Sequence, residues 1–112
     1  MRFKRSGLFK IMGVGAFTIA LGLGLQARPA ASGGDIYKQR CAMCHGADGK
    51  GYPAMKTPNF TNPKVQAPLK DKEIVETIKN GRKGTAMPGF ADVLSDEQVQ
   101  SLLGFIRSFK KK

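Results

Sequence analysis

The sequence predicts an all-α fold with long loops. Its clearest helix begins at Ser95, which forms a capping box with Gln98. The apolar face of that helix follows at the i, i+3, i+4 and i+7 spacing: Val99, Leu102, Leu103 and Ile106. Two other segments also have helical patterns, and no β-branched run indicates a sheet. Glycine and proline fill the stretches between the helices, which are therefore expected to be loops.

The other predicted helices lie earlier in the chain. The first spans 35–44, with Ser32 or Asp35 as its amino-terminal cap. The second spans 71–80: acidic residues open it, Ile74 and Ile78 share its apolar face, and Gly81 ends it. Residues 46–69 and 82–94 are the loops. The first of these is longer than loops in compact domains usually are, which is expected where a loop wraps around a bound group.

The amino-terminal segment has the pattern of a secretory signal peptide. Basic residues lie within the first ten positions, no residue from Ile11 to Leu25 is charged, and small residues follow up to Ser32. The predicted organisation is a signal peptide at 1–32 and one domain at 33–112, with cleavage after Ala31 or Gly33 as alternatives. An uncleaved membrane anchor stays open. Five of the 19 basic residues and none of the 8 acids precede residue 33, which leaves the domain a formal charge of +6.

Both cysteines and the only histidine lie within CAMCH at 41–45. A disulfide between Cys41 and Cys44 would close too small a loop to stabilise the fold appreciably. A thioredoxin-type redox pair belongs beside a strand-helix-strand unit, for which no strand is predicted. A structural zinc site needs four ligands, and Cys41, Cys44 and His45 supply three. The remaining interpretation is covalent attachment of a haem, with one thiol for each vinyl group and His45 as an iron ligand.

This complete Cys-x-x-Cys-His motif resembles that of the class I cytochromes c, and the resemblance extends from about Gly33 to Phe109. It implies the cytochrome c fold, with three main helices and long loops around one haem c held by two thioethers. It further implies that the first and last helices cross, with Gly33 and Tyr37 facing Leu102 and Phe105. It also suggests that the Pro53 carbonyl accepts a hydrogen bond from His45, with an ordinary turn proline as the alternative.

The sixth iron ligand is predicted to be Met87. No second histidine exists, Met43 lies inside the attachment motif, and Met55 follows His45 too closely to be favoured. Met87 comes 42 residues after His45, in a predicted loop, and Pro88 keeps its backbone extended. The segment TAMPGF also resembles the methionine loop of small bacterial class I cytochromes. A lysine ligand, an open position, Met55 as the ligand, and Met87 as an ordinary packed side chain remain as alternatives.

These features predict a periplasmic one-electron carrier, expected to be a monomer, rather than an enzyme or a nucleic-acid-binding protein. Alternatives are a membrane-anchored cytochrome subunit of an oxidase or reductase, and a haem sensor or catalytic domain from which Met87 dissociates. Cations in or beside the two long loops suggest a basic rim for redox partners with acidic patches, with an ordinary solvated basic surface as the alternative. The predicted rim comprises Lys50, Lys56, Lys70, Lys72, Lys79, Arg82 and Lys83.

Overall fold

The computed structural model describes residues 30–111 and, before them, only residues 13, 15, 16, 22 and 24. Its α-helices are α1 (Gly33–Arg40), α2 (Ala42–His45), α3 (Pro63–Gln66), α4 (Asp71–Asn80) and α5 (Asp96–Ser108). Single turns of 3₁₀ helix occupy Pro53–Met55 and Phe109–Lys111. The described residues contain no strand, and the predicted all-α class is confirmed. Most of the predicted signal peptide lies outside the described residues.

The first predicted helix is divided into two at Cys41. Helix α1 begins at Gly33, two residues earlier than predicted, because the Ser32 side chain accepts a hydrogen bond from the Asp35 N–H at 3.2 Å. The Ser32 hydroxyl in turn donates to the Asp35 carboxylate, and this contact lowers the pKa of Asp35. Helix α2 then carries Cys44 and His45 in one short turn.

Helices α1 and α5 cross at a glycine, as the family resemblance implied. A Cβ atom on Gly33 would come within 2.2 Å of the Ser101 carbonyl oxygen, so only glycine fits without displacement of a helix. The Gly33 N–H also donates to the Ser101 hydroxyl at 2.8 Å. Beside this contact, the Tyr37 ring packs 5.2 Å from Phe105 and 5.1 Å from Phe109 between centroids. The crossing therefore fixes the helix that leads directly into the CAMCH segment.

Helix α5 begins with the capping box that its sequence predicts, and α4 ends at Gly81 as predicted. The Gln98 N–H donates to the Ser95 hydroxyl at 3.2 Å, and the Ser95 N–H donates to the Gln98 side chain at 2.9 Å. The Lys79 ammonium lies 2.5 Å from the Asp96 carboxylate and joins the end of α4 to the start of α5. Both helices bury their apolar faces in a common core: Ile74, Ile78, Val99, Leu102, Leu103 and Ile106. No helix in the described part of the chain is both long and apolar enough to cross a membrane.

Candidate functional site

A cavity of about 650 Å³ opens between the CAMCH segment, the two long loops and helices α4 and α5. Such a volume lies in the range of roughly 300–1,000 Å³ typical of ligand and cofactor sites. Much of its wall is apolar: Phe60, Val65, Leu69, Ile74, Ile78, Phe90, Leu102 and Ile106. Four side chains singled out from the sequence also line it: Cys41, Cys44, His45 and Met87.

The two cysteines reach the cavity as free thiols. Cys41 lies at the break between α1 and α2, Cys44 lies within α2, and both are partly buried. Burial raises the pKa of the Cys41 thiol to about 11, so this thiol is protonated at neutral pH. Within the described residues, no group of three or more His, Cys, Asp or Glu side chains is placed to hold a metal ion. The chain thus offers two unpaired thiols beside an apolar cavity, without the donor set of a zinc site.

His45 is held by contacts to its ring and its backbone. Its imidazole stacks on the Phe60 ring, with the centroids 5.2 Å apart and the planes inclined by 20°. Its carbonyl accepts the Gly51 N–H at 2.8 Å, and the Tyr37 hydroxyl donates to the next carbonyl, that of Gly46, at 2.7 Å. Burial lowers the pKa of His45 and favours the neutral imidazole, which is the form that ligates metals.

The hydrogen bond predicted between His45 and Pro53 is absent. Pro53 starts a 3₁₀ turn in which its carbonyl accepts the Lys56 N–H at 3.0 Å, and Pro53 does not line the cavity. Nδ1 of His45 is buried without a hydrogen-bond partner among the described residues. Pro58, two residues before Phe60, lines the cavity instead. The local turn therefore directs the Pro53 carbonyl away from the role that the resemblance suggested.

The methionines differ in their exposure and in whether they line the cavity. Met87 is partly buried on its wall, whereas Met43 is 84% exposed and does not line it. Met55 also lines the cavity, with 49% of its surface exposed. The Met87 carbonyl accepts the Arg82 N–H at 3.1 Å and lies 2.7 Å from where a Cβ on Gly81 would stand. Gly81 has a φ of 72°, so a side chain there would strain the backbone as well as crowd Met87.

Three cations and one acid line the cavity: Arg40, Lys56, Arg82 and Glu73. Of the predicted basic rim, Lys56 and Arg82 reach the wall. Lys79 is paired with Asp96 at 2.5 Å, and Lys72 lies 3.9 Å from Glu76. Arg40 was missed by the sequence analysis, although its position directly before Cys41 could have identified it. The stacking of Phe60 on His45 was also missed, because no local pattern reports a contact across a loop.

These side chains fit a covalently attached haem. The free thiols can form thioethers, the lowered pKa of the partly buried imidazole favours the neutral form that binds metals, and the apolar wall suits a flat apolar macrocycle. The class of protein that this fold and this cavity define is the c-type cytochrome.

Comparison with known proteins identifies the family. The family described as cytochrome c oxidase, cbb3-type, subunit III matches residues 28–106, and the chain belongs to it. The cbb3-type cytochrome c oxidase subunit FixP of Bradyrhizobium sp. (strain ORS 278) is 31% identical over 83 residues, covering 74% of this chain and 28% of that protein. The cytochrome c subunit of the quinone alcohol dehydrogenase of Gluconacetobacter polyoxogenes is 33% identical and covers 68% of this chain and 18% of that protein. The chain thus spans less than a third of either curated relative.

Solved structures agree with this assignment. The KustC0563 c-type cytochrome superposes with a TM-score of 0.66 at 31% identity, covering 71% of this chain and 99% of that one. The dihydro-haem d1 dehydrogenase NirN superposes with a TM-score of 0.60 at 34% identity, covering 69% of this chain and 16% of that one. The predicted cytochrome c fold is confirmed, and the cofactor of the domain is covalently bound haem c.

Proposed function

We propose that the protein carries single electrons by means of a haem c attached through Cys41 and Cys44 and ligated by His45 and Met87. One observation carries this proposal: a methionine 42 residues beyond the histidine lines the same cavity as the CAMCH side chains. Bound haem supplies reversible one-electron chemistry, and the protein tunes and protects it. No further catalytic group is needed for this function.

Each part of the cavity has a role in this proposal. Thioethers from Cys41 and Cys44 keep the cofactor from dissociating. Burial keeps the His45 imidazole neutral, and the soft thioether sulfur of Met87 favours the reduced metal. The apolar wall excludes water and so raises the energetic cost of the more highly charged oxidised state. Together these effects would raise the reduction potential. With both His45 and Met87 bound to the iron, no coordination position would remain for a substrate.

The visible spectrum of Met87→Ala tests the ligation. We expect this variant to lose the methionine-to-iron charge-transfer band of the ferric wild-type protein, because the sulfur that produces the band is gone. Met43→Ala is the matched control, since Met43 is 84% exposed and outside the cavity wall. A Met87→Ala protein that keeps the band would refute ligation by Met87 and would make Met55 the next candidate.

The proposed partners are redox proteins with acidic patches. Support comes from Arg40, Lys56 and Arg82 on the cavity wall and from the relatives, which are named as subunits of an oxidase and a dehydrogenase. Charge attraction between such surfaces raises association rates and is screened by salt. We expect electron transfer with an acidic redox protein to slow as ionic strength rises.

Two variants, each of which removes one positive charge, test whether the dependence on ionic strength arises at the cavity wall. Lys56→Gln should weaken the dependence of the electron-transfer rate on ionic strength, because it removes a cation from the cavity wall. Lys111→Gln removes an exposed cation that does not line the cavity and should leave that dependence close to wild type. Equal effects of the two variants would argue for a diffuse basic surface instead of a docking site.

The proposed location is the periplasm, with residues 1–32 removed as a signal peptide and 33–112 forming the mature domain. A second candidate is a cytochrome subunit that keeps its amino terminus and remains attached to a membrane complex. The relatives named as oxidase and dehydrogenase subunits favour it. Amino-terminal sequencing of the protein from periplasmic and membrane fractions distinguishes the two candidates, because only the carrier would begin near residue 33.

A further inference from the structure

The loop that presents Met87 has little apolar packing of its own. Residues 82–86 are all exposed, and Met87 is the first partly buried residue after them. Arg82, Gly84, Thr85 and Ala86 line the cavity, so side chains of the protein itself supply little apolar packing that could define the path of the loop before Met87. Its shape therefore depends on the hydrogen bonds made within the loop.

The Thr85 hydroxyl joins the two ends of this loop. It donates to the Arg82 carbonyl at 2.7 Å and accepts the Met87 N–H at 3.2 Å. The Thr85 N–H also donates to the Arg82 carbonyl at 3.2 Å, which closes a turn over 82–85. The Arg82 N–H donates to the Met87 carbonyl at 3.1 Å. Met87 thus has both its N–H and its carbonyl tied to the loop, the first of them through the Thr85 side chain.

We propose that Thr85 is a positioning residue for Met87: its hydroxyl holds the methionine at the cavity wall and thereby limits displacement of Met87 by external ligands. This inference rests on the proposed ligation by Met87. Removal of the hydroxyl leaves the Met87 N–H without its partner in the closed loop and adds open conformations. An external ligand binds only the population from which Met87 has moved away, so its apparent affinity reports that population.

Titration of the ferric holoprotein with imidazole measures this effect. Thr85→Val removes the hydroxyl and keeps a branched side chain, and we expect it to raise the apparent imidazole affinity by about 2- to 10-fold, the range that one net hydrogen bond supports. Thr85→Ser keeps the hydroxyl and should restore wild-type affinity. Because Thr85 is exposed apart from the cavity that it lines, neither change should lower the thermal midpoint by more than a few degrees.

Thr61→Val is the matched control. Its hydroxyl donates to the Asn59 side chain at 2.6 Å in another loop, and Thr61 does not line the cavity. This variant should bind imidazole as the wild type does. The inference is overturned if Thr85→Val also binds as the wild type does, or if Thr61→Val gains affinity equally. If Met87→Ala leaves both the charge-transfer band and imidazole binding unchanged, the proposed ligation fails as well.

Discussion

Among the described glycines, Gly33 leaves the least room for a Cβ atom. A Cβ there would lie 2.2 Å from the carbonyl oxygen and 2.5 Å from the carbonyl carbon of Ser101, both of which belong to the backbone of α5. Backbone atoms cannot rotate aside as a side chain can, so Gly33→Ala must move one helix relative to the other. We expect it to lower the free energy of unfolding by about 1–3 kcal/mol. Urea denaturation of the holoprotein followed by circular dichroism measures this loss.

Gly104 provides the opposite case within α5. An added Cβ would meet nothing within 4 Å, and the residue is exposed in a helix interior. Gly104→Ala should therefore raise the free energy of unfolding by up to about 1 kcal/mol, since alanine is the better helix former. Equal and small effects of the two substitutions would show that α1 and α5 do not approach as closely as described.

The sequence predicted individual residues best where a motif fixes their spacing. Gly33 and Tyr37 precede Cys41 at the family spacing, and both lie at the helix crossing. Pro53 failed because its environment depends on a turn that the spacing does not encode. The turn over Pro53–Met55 ends at Lys56, whose backbone is left-handed (φ 54°), and the four residues 55–58 line the cavity whereas Pro53 does not. The spacing alone therefore gave no reason to place Pro58 rather than Pro53 on the cavity wall.

Between elements, Arg107 joins α5 to the segment that leads into α4. Its guanidinium donates to the carbonyls of Gln66 at 3.0 Å and Leu69 at 2.5 Å, and to the Asp71 carboxylate at 2.9 Å. Lysine cannot reach three acceptors with a fixed planar fork. Arg107→Lys should therefore lower the free energy of unfolding by about 1–3 kcal/mol, because it leaves partly buried carbonyls without donors. Urea denaturation of the holoprotein gives the value.

Lys72→Gln is the control variant, because it removes a charge from the surface without removing hydrogen bonds to the backbone. Lys72 lies 3.9 Å from Glu76 on the exposed face of α4, in a pair of the kind that contributes little. Lys72→Gln should change the free energy of unfolding by no more than about 0.5 kcal/mol. An Arg107→Lys protein as stable as Lys72→Gln would indicate that the hydrogen bonds of Arg107 are replaced by water at no cost.

The longer helices were predicted from the sequence more accurately than the short ones. Helix α4 has the bounds predicted for it, and α5 begins directly after the predicted cap at Ser95. Helix α3 was missed, since four residues are too few to show a period. A local signal existed: Asn62 caps it by accepting the Lys64 N–H at 3.0 Å, and Pro63 occupies its first position. The break at Cys41 has no such signal, because the residues around it do not disfavour a helix.

Over the whole molecule, the cavity and the core share their residues. Phe60, Ile74, Ile78, Leu102 and Ile106 are buried core side chains, and the same five line the cavity. A domain of about 80 residues has little core to spare. The space of about 650 Å³ between these side chains must be filled by an apolar group for them to pack closely. For this reason the sequence could predict that a cofactor was needed but not the shape of its site.

Removal of the cofactor should therefore unfold the domain. We expect the double variant Cys41→Ala with Cys44→Ala to bind no haem covalently and to show the narrow amide dispersion of an unfolded chain in a proton–nitrogen NMR spectrum. The reason is that water in the cavity would contact the core residues on its wall, so the apolar burial that offsets the chain entropy would be lost. Met43→Ala, an exposed substitution between the same cysteines, should keep the dispersed spectrum of the holoprotein. A dispersed spectrum from the double variant would mean that helices α1, α4 and α5 pack stably by themselves and that the cavity forms without attached haem.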